Sequence, residues 1–138
     1  MRLSTRTKYG VRALVDLAEA YPDRRLSVKD IAEREKISAK YLEHIMARLK
    51  AAGLVDATRG MHGGYMLCDP PERVSLHDVY PVLEGSTAPT ECVDEEGECE
   101  RAPTCPTKET WAEVKEAIDE VLDKTTLADL VKKKQSKT

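Results

Sequence analysis

The sequence predicts a mainly α-helical fold that carries one small β-hairpin and ends in a long helix. Three observations predict it. Apolar residues recur at helical spacing over most of the 138 residues. Ser or Thr followed three residues later by Asp, a pattern that opens helices, occurs at Ser27, Ser75 and Thr126. Residues 54–68 depart from the helical pattern, reading as strand, glycine-rich turn and strand. Leu, Val, Ile and Ala fill the apolar positions, with no Phe and one Trp, and 41% hydrophobic content at this length suits one compact domain with an appended element.

The first helix is expected from Ser4 or Thr5 to Tyr21, with Tyr9, Ala13, Leu14, Leu17, Ala18 and Tyr21 in one stripe and Pro22 as its stop. Ser27 and Asp30 open a short helix that holds Val28, Ile31 and Ala32 on one side and ends near Lys36. Ser38 starts the next at once. Its buried face is Tyr41, Leu42, Ile45, Met46 and Leu49, and Gly53 ends it in a left-handed conformation. Leu54–Arg59 and Tyr65–Cys68 form the hairpin around Gly60-Met61-His62-Gly63-Gly64. Ser75 and Asp78 open a helix with Leu76, Val79, Val82 and Leu83, ending at Gly85.

From Ser86 to Pro106 there is no periodicity, and Glu91–Glu100 holds six acidic residues and no base, so this stretch reads as a loop organised by something it binds. A long amphipathic helix follows, with Trp111, Val114, Ile118, Val121 and Leu122 on one stripe. A small domain cannot bury that stripe alone, whereas pairing with a second copy of the chain would. Thr126 and Asp129 then open a short helix with Leu127, Leu130 and Val131, and Lys132–Lys137 reads as a frayed tail. The expected organisation is therefore 1–85, a helical domain with the hairpin; 86–106, a cysteine-containing loop; 107–131, a dimerisation helix with a short terminal helix; and 132–138, a flexible basic tail.

The net charge of -3 conceals an asymmetry: residues 1–60 hold 13 basic and 8 acidic side chains, residues 61–138 hold 9 and 17. A basic front and an acidic back fit a front that faces nucleic acid, because phosphates attract the first and repel the second. Nothing resembles a signal peptide or approaches the roughly 18 apolar residues of a membrane span. A cytoplasmic protein is expected. There is no Ser-His-Asp order, phosphate-binding glycine loop or His-Glu-x-x-His pattern, so no enzyme is expected.

Two short helices across a tight turn, followed by a glycine-rich hairpin, form a winged helix-turn-helix layout, in which one helix enters the roughly 12 Å major groove and the hairpin, or wing, touches the groove beside it. The candidate reading helix begins at Ser38. Away from its apolar face it presents Ser38, Lys40, Glu43 and His44, a polar set suited to base edges, with Glu43 able to accept from cytosine N4. Arg59, beside Gly60 on the wing, is placed to enter a minor groove. Arg2, Arg6, Lys8, Arg48 and Lys50 are expected phosphate contacts, giving affinity without sequence information. Each of these side chains alone reads as ordinary solvated surface; the combination points to double-stranded DNA. His62 reads as a turn residue.

Cys92, Cys99 and Cys105 fall at spacings of seven and six. Soft thiolates at such spacing suit an iron-sulfur cluster, 2Fe-2S or 4Fe-4S, or zinc, although structural zinc sites favour pairs two to four residues apart. Cys68, on a hairpin strand, reads as a small buried thiol. Two rivals stand beside cluster control: a regulator with a thiol or zinc switch, and an iron-sulfur electron carrier with the helices as scaffold. The basic reading helix and wing disfavour the carrier.

Tyr9-Gly10, Ser38-Ala39-Lys40-Tyr41-Leu42-Glu43, Gly53-Leu54-Val55, Arg59-Gly60 and Gly63-Gly64-Tyr65 closely resemble the IscR/NsrR-type regulators of the Rrf family, in order, from residue 1 to about 130. The resemblance implies a homodimeric transcription regulator, commonly a repressor, with the long helix as dimer interface. It implies that Ser38, Glu43 and His44 read bases, with His44 where Gln is common in relatives, and that Arg59 enters the minor groove. It also implies that Cys92, Cys99 and Cys105 hold a cluster, with iron-sulfur biogenesis or iron homeostasis as the regulated process and cysteine metabolism as the cluster-free alternative. The usual fourth ligands are missing, because Lys108 and Lys8 occupy their positions. The resemblance leaves Glu98, Glu100, Cys68, a partner residue or an exogenous ligand for that place.

Overall fold

Side-chain caps set where most of the helices begin. The computed structural model describes residues 2–89 and 106–137. Helix α1 spans Thr5–Ala20 behind Ser4, whose hydroxyl accepts from the Thr7 amide. Helices α2 (Val28–Glu35), α4 (Leu76–Leu83) and α6 (Leu127–Ser136) each open on a reciprocal capping box, formed by Ser27 with Asp30, Ser75 with Asp78, and Thr126 with Asp129. Helix α3 spans Ala39–Ala51 behind Ser38, and α5 spans Lys108–Lys124. Gly53, at φ 78°, supplies the left-handed stop after α3.

The hairpin pairs β1 (Val55–Thr58) with β2 (Gly64–Leu67) antiparallel, in the register Val55–Leu67, Asp56–Met66, Ala57–Tyr65 and Thr58–Gly64. Strand β1 is two residues shorter than expected, and β2 keeps its expected length but begins and ends one residue earlier. The segment before α2 adds a third, one-residue strand: Leu26 donates to the Tyr65 carbonyl at 3.0 Å and accepts from the Tyr65 amide at 2.8 Å. Gly64 permits this approach, since it sits at φ 137° and a Cβ there would lie 2.7 Å from the Leu26 carbonyl oxygen.

The core forms where α1 meets α2, α3, α4 and α6, around Leu14, Leu17, Ile31, Leu42, Ile45, Leu49, Val79, Leu83 and Leu127, all essentially inaccessible. Gly10 lets α1 lie close to α4, because a Cβ there would press on the Leu83 side chain and on Ile45. Backbone bonds from Leu76 to the Thr125 carbonyl and from Leu127 to the Val74 carbonyl join the starts of α4 and α6.

Two expectations need correction. Residues 132–136 are not a frayed tail but continue α6, because Lys134 reaches back to α1, to Asp16 at 3.2 Å and to Glu19. Cys68 is not buried: it lies one residue beyond β2 and is exposed. No described helix is long and apolar enough to cross a membrane.

Candidate nucleic-acid interface

One face of α3 is fixed by burial. Leu42, Ile45, Met46 and Leu49 are fully inaccessible, so the residues between them point outward, and Ser38, Lys40, Glu43 and His44 are all exposed. The helix start is fixed twice over. The Ser38 hydroxyl accepts from the Tyr41 amide at 3.0 Å, and the Tyr41 hydroxyl meets Thr5 Oγ1 of α1 at 3.1 Å. The Tyr41 ring also stands edge-on to Tyr9, with centroids 6.1 Å apart. Helix α2 precedes α3 across a tight turn in which Lys36 takes the left-handed conformation, φ 57°. Arg12 stacks 5.5 Å over Tyr9 and pairs with Glu35 at 2.8 Å, holding the end of α2 against α1.

Beyond α3 the wing projects into solvent. Arg59, Gly60 and His62 are exposed, and Met61 at the tip is 95% exposed. The open α3 face and the wing thus follow each other along the chain, as a groove-reading unit requires. The expected phosphate contacts divide. Arg2, Lys8 and Lys50 are exposed. Arg48 is exposed and gives one N–H to the Val82 carbonyl at 3.3 Å, leaving its other donors open. Arg6 is half-buried and donates from Nε to the Leu83 carbonyl at 2.8 Å, so it also ties α1 to α4.

Cys92, Cys99 and Cys105, with Glu98 and Glu100, lie outside the described residues; both flanks of their segment are described. Before it, Glu84 accepts from the Ser4 amide at 3.1 Å, the Ser4 hydroxyl at 2.7 Å and the Thr7 hydroxyl. The Thr7 and Ser4 bonds hold its carboxyl below the usual range. After it, Asp119 of α5 accepts from Thr87 at 2.6 Å and from Lys115 at 2.7 Å. Partial burial would raise the Asp119 pKa, but these two bonds and nearby charge lower it. Among the described residues no group of three His, Cys, Asp or Glu side chains is placed to hold a metal ion. Partial desolvation by its neighbours pushes the Cys68 thiol up, as do Asp56 and Asp69, which disfavours the thiolate that a ligand or nucleophile needs.

Sequence reasoning passed over several structural partners. Glu84 lies 80 residues from Ser4, and Arg25 lies 31 from Asp56, which it pairs with on the wing. Asp16 on α1 is 1% exposed, with Oδ2 lacking a hydrogen-bond partner. Its pKa rises to about 6, first through burial and then through the nearby Glu35 carboxyl. An acidic residue inside the first helix's apolar stretch was the available signal for Asp16; the other two left none.

Comparison with known proteins places this architecture. The family model described as Rrf2, iron-dependent transcriptional regulator, matches residues 3–133. The protein rrf2 of Nitratidesulfovibrio vulgaris is 42% identical over 96% of this chain and 88% of its own length. Among solved structures, CymR, the global cysteine regulator of B. subtilis, superposes with a TM-score of 0.79 at 35% identity, covering 96% of this chain and 97% of that one. IscR of T. potens also gives 0.79, at 39% identity, covering 96% and 88%. This chain, with six α-helices and one wing among its described residues and matched along nearly its whole length, belongs to the Rrf2 family of winged-helix transcriptional regulators.

Proposed function

We propose that this regulator binds operator DNA as a homodimer, with α3 in the major groove and Arg59 in the adjacent minor groove. The observation that carries the reading is the division of α3: four apolar side chains at 0% exposure fix its roll, and the polar set Ser38, Lys40, Glu43 and His44 faces out. Ser38, Glu43 and His44 read base edges, Lys40 reads or steers, and Arg2, Arg48, Lys8 and Lys50 neutralise phosphates. Helix α5 is the dimer seam. It has no buried residue, and Trp111, Val114 and Val121 are 38%, 37% and 53% exposed, as a stripe awaiting a second copy would be.

The segment carrying Cys92, Cys99 and Cys105 is the effector site in this reading, and an iron-sulfur cluster is the group that suits its donors. Three thiolates in a stretch with no apolar periodicity fit a soft cofactor. Such a cluster supplies a charge and a crosslink that change with redox state or iron supply. The chain's own contribution is attachment: Glu84 fastens one flank to the start of α1, and Thr87 fastens to α5 through Asp119. Ordering or releasing the segment between these anchors shifts α5 against the DNA-reading domain. Half-sites about 34 Å apart punish small changes in the angle between two reading helices.

A second reading keeps the DNA interface and replaces the cluster with a thiol switch. The likeness to CymR, described as a global cysteine regulator, favours it. Selection of duplexes from a random-sequence pool tests what the two share. A two-fold symmetric site is expected, and Glu43→Ala should relax preference at one base step in each half-site. No enriched sequence, or an unchanged preference in that variant, would overturn the assignment of α3.

A further inference from the structure

We propose that Arg25 is the positioning residue of the wing: its guanidinium grips both strands of the hairpin and sets the angle at which Arg59 meets DNA. The proposal rests on the reading of Arg59 as a groove contact. At its base the hairpin packs Val55 and Leu67 into the core, and one backbone pair, Leu26 with Tyr65, joins it to the segment before α2. Arg25, the residue before Leu26, adds a polar tie on the solvent side of that base. Its Nη1 donates to the Asp56 carboxylate on β1 and, at 3.3 Å, to the Gly64 carbonyl on β2.

The two acceptors sit on opposite strands, since Asp56 faces Met66 and Gly64 faces Thr58 in the ladder. One nitrogen, Nη1, therefore bridges the two strands at the base of the wing. The exposures show which partner is held in place: the Arg25 side chain is 22% exposed, against 53% for Asp56. A pair with so exposed a partner adds little to stability, so its effect lies in orientation. Asp56 is three residues from Arg59, and a small rotation at the base is carried along the strand to the tip.

The competing role for Arg25 is a plain phosphate contact, and the two roles assign opposite signs to Asp56. If Arg25 only neutralised phosphate, removing the Asp56 carboxylate would free a cation, delete a charge that repels DNA, and tighten binding. If Arg25 clamps the wing, removing Asp56 loosens the hairpin and weakens binding.

The test measures dissociation constants at one fixed salt concentration, on a duplex isolated from a random-sequence pool by the unaltered protein. Arg25→Ala, Asp56→Ala, their double variant, Arg59→Ala and Arg25→Ala with Arg59→Ala are compared, and melting curves check that each folds. Arg25→Ala and Asp56→Ala are each expected to weaken binding about fivefold, on the scale of one lost base-edge contact. Their double variant should be no weaker than either, and Arg25→Ala should add nothing once Arg59 is gone. Tighter or unchanged binding by Asp56→Ala overturns the clamp, as do losses that simply add. Unchanged binding by Arg59→Ala refutes that residue's groove contact instead, while the sign for Asp56→Ala still decides the clamp.

Discussion

Helices α3 and α5 are both amphipathic, yet α3 fully buries four apolar side chains and α5 has no buried residue at all. Leu42, Ile45, Met46 and Leu49 find their partners on α1 and α4 within one chain, whereas Trp111, Val114 and Val121 remain open. An apolar stripe states that burial is required and is silent on whose surface provides it. In the proposed function the difference separates a reading head that one chain completes from a seam that takes two.

That contrast is broken most severely at α5. Ile118→Asp combined with Val121→Asp should leave the fold of residues 2–89 intact, convert dimer to monomer in sedimentation, and weaken operator binding by about 100-fold through lost bivalency. A variant that remains dimeric would move the seam elsewhere. Within the reading head, Leu42→Ala should cost about 2–5 kcal/mol in urea unfolding, because its cavity opens among rigid neighbours. Val121→Ala, on a half-exposed site, should cost far less in a monomer.

A smaller effect comes from Asp16, which joins α1 to α6 through Lys134. Its folded pKa, about 6, is raised above the ordinary 3.8, so the folded state binds this proton more tightly than the unfolded chain does. Its favourable contribution is complete below about pH 4 and is lost as the pH climbs through 6. Wild-type stability relative to Asp16→Asn should therefore fall by about 2 kcal/mol between pH 4 and pH 7, on the scale of 1.36 kcal/mol per unit. A flat difference would contradict the assignment. The smallest change is Ser75→Ala, which removes a capping box and should cost about 1 kcal/mol.

The helix starts were legible because the capping signal is local: Ser27 with Asp30, Ser75 with Asp78 and Thr126 with Asp129 all form the bonds their spacing implies. The polar face of α3 was legible for the same reason, since one helical period fixes which residues oppose the core. Residues joined across the fold were not. The bond from Arg6 to the Leu83 carbonyl left no sign in the sequence, and Lys134 read as tail until Asp16 appeared beside it. Cys68 was misplaced by a short strand, for β2 stops at Leu67 and the next side chain leaves the sheet. For Arg6 and Lys134 the deciding partner lies far away in sequence, where no spacing rule reaches.

The central claim, that the segment bearing Cys92, Cys99 and Cys105 governs DNA binding through a cluster, is tested most directly by one paired measurement. Iron, zinc and acid-labile sulfide are assayed on protein purified without oxygen, alongside operator affinity, for the wild type and for the Cys92→Ala, Cys99→Ala, Cys105→Ala triple variant. Matched iron and sulfide in the wild type alone, with affinities differing at least about tenfold between the two proteins, is the predicted result. Zinc or no metal in the wild type, or equal affinities, would contradict it.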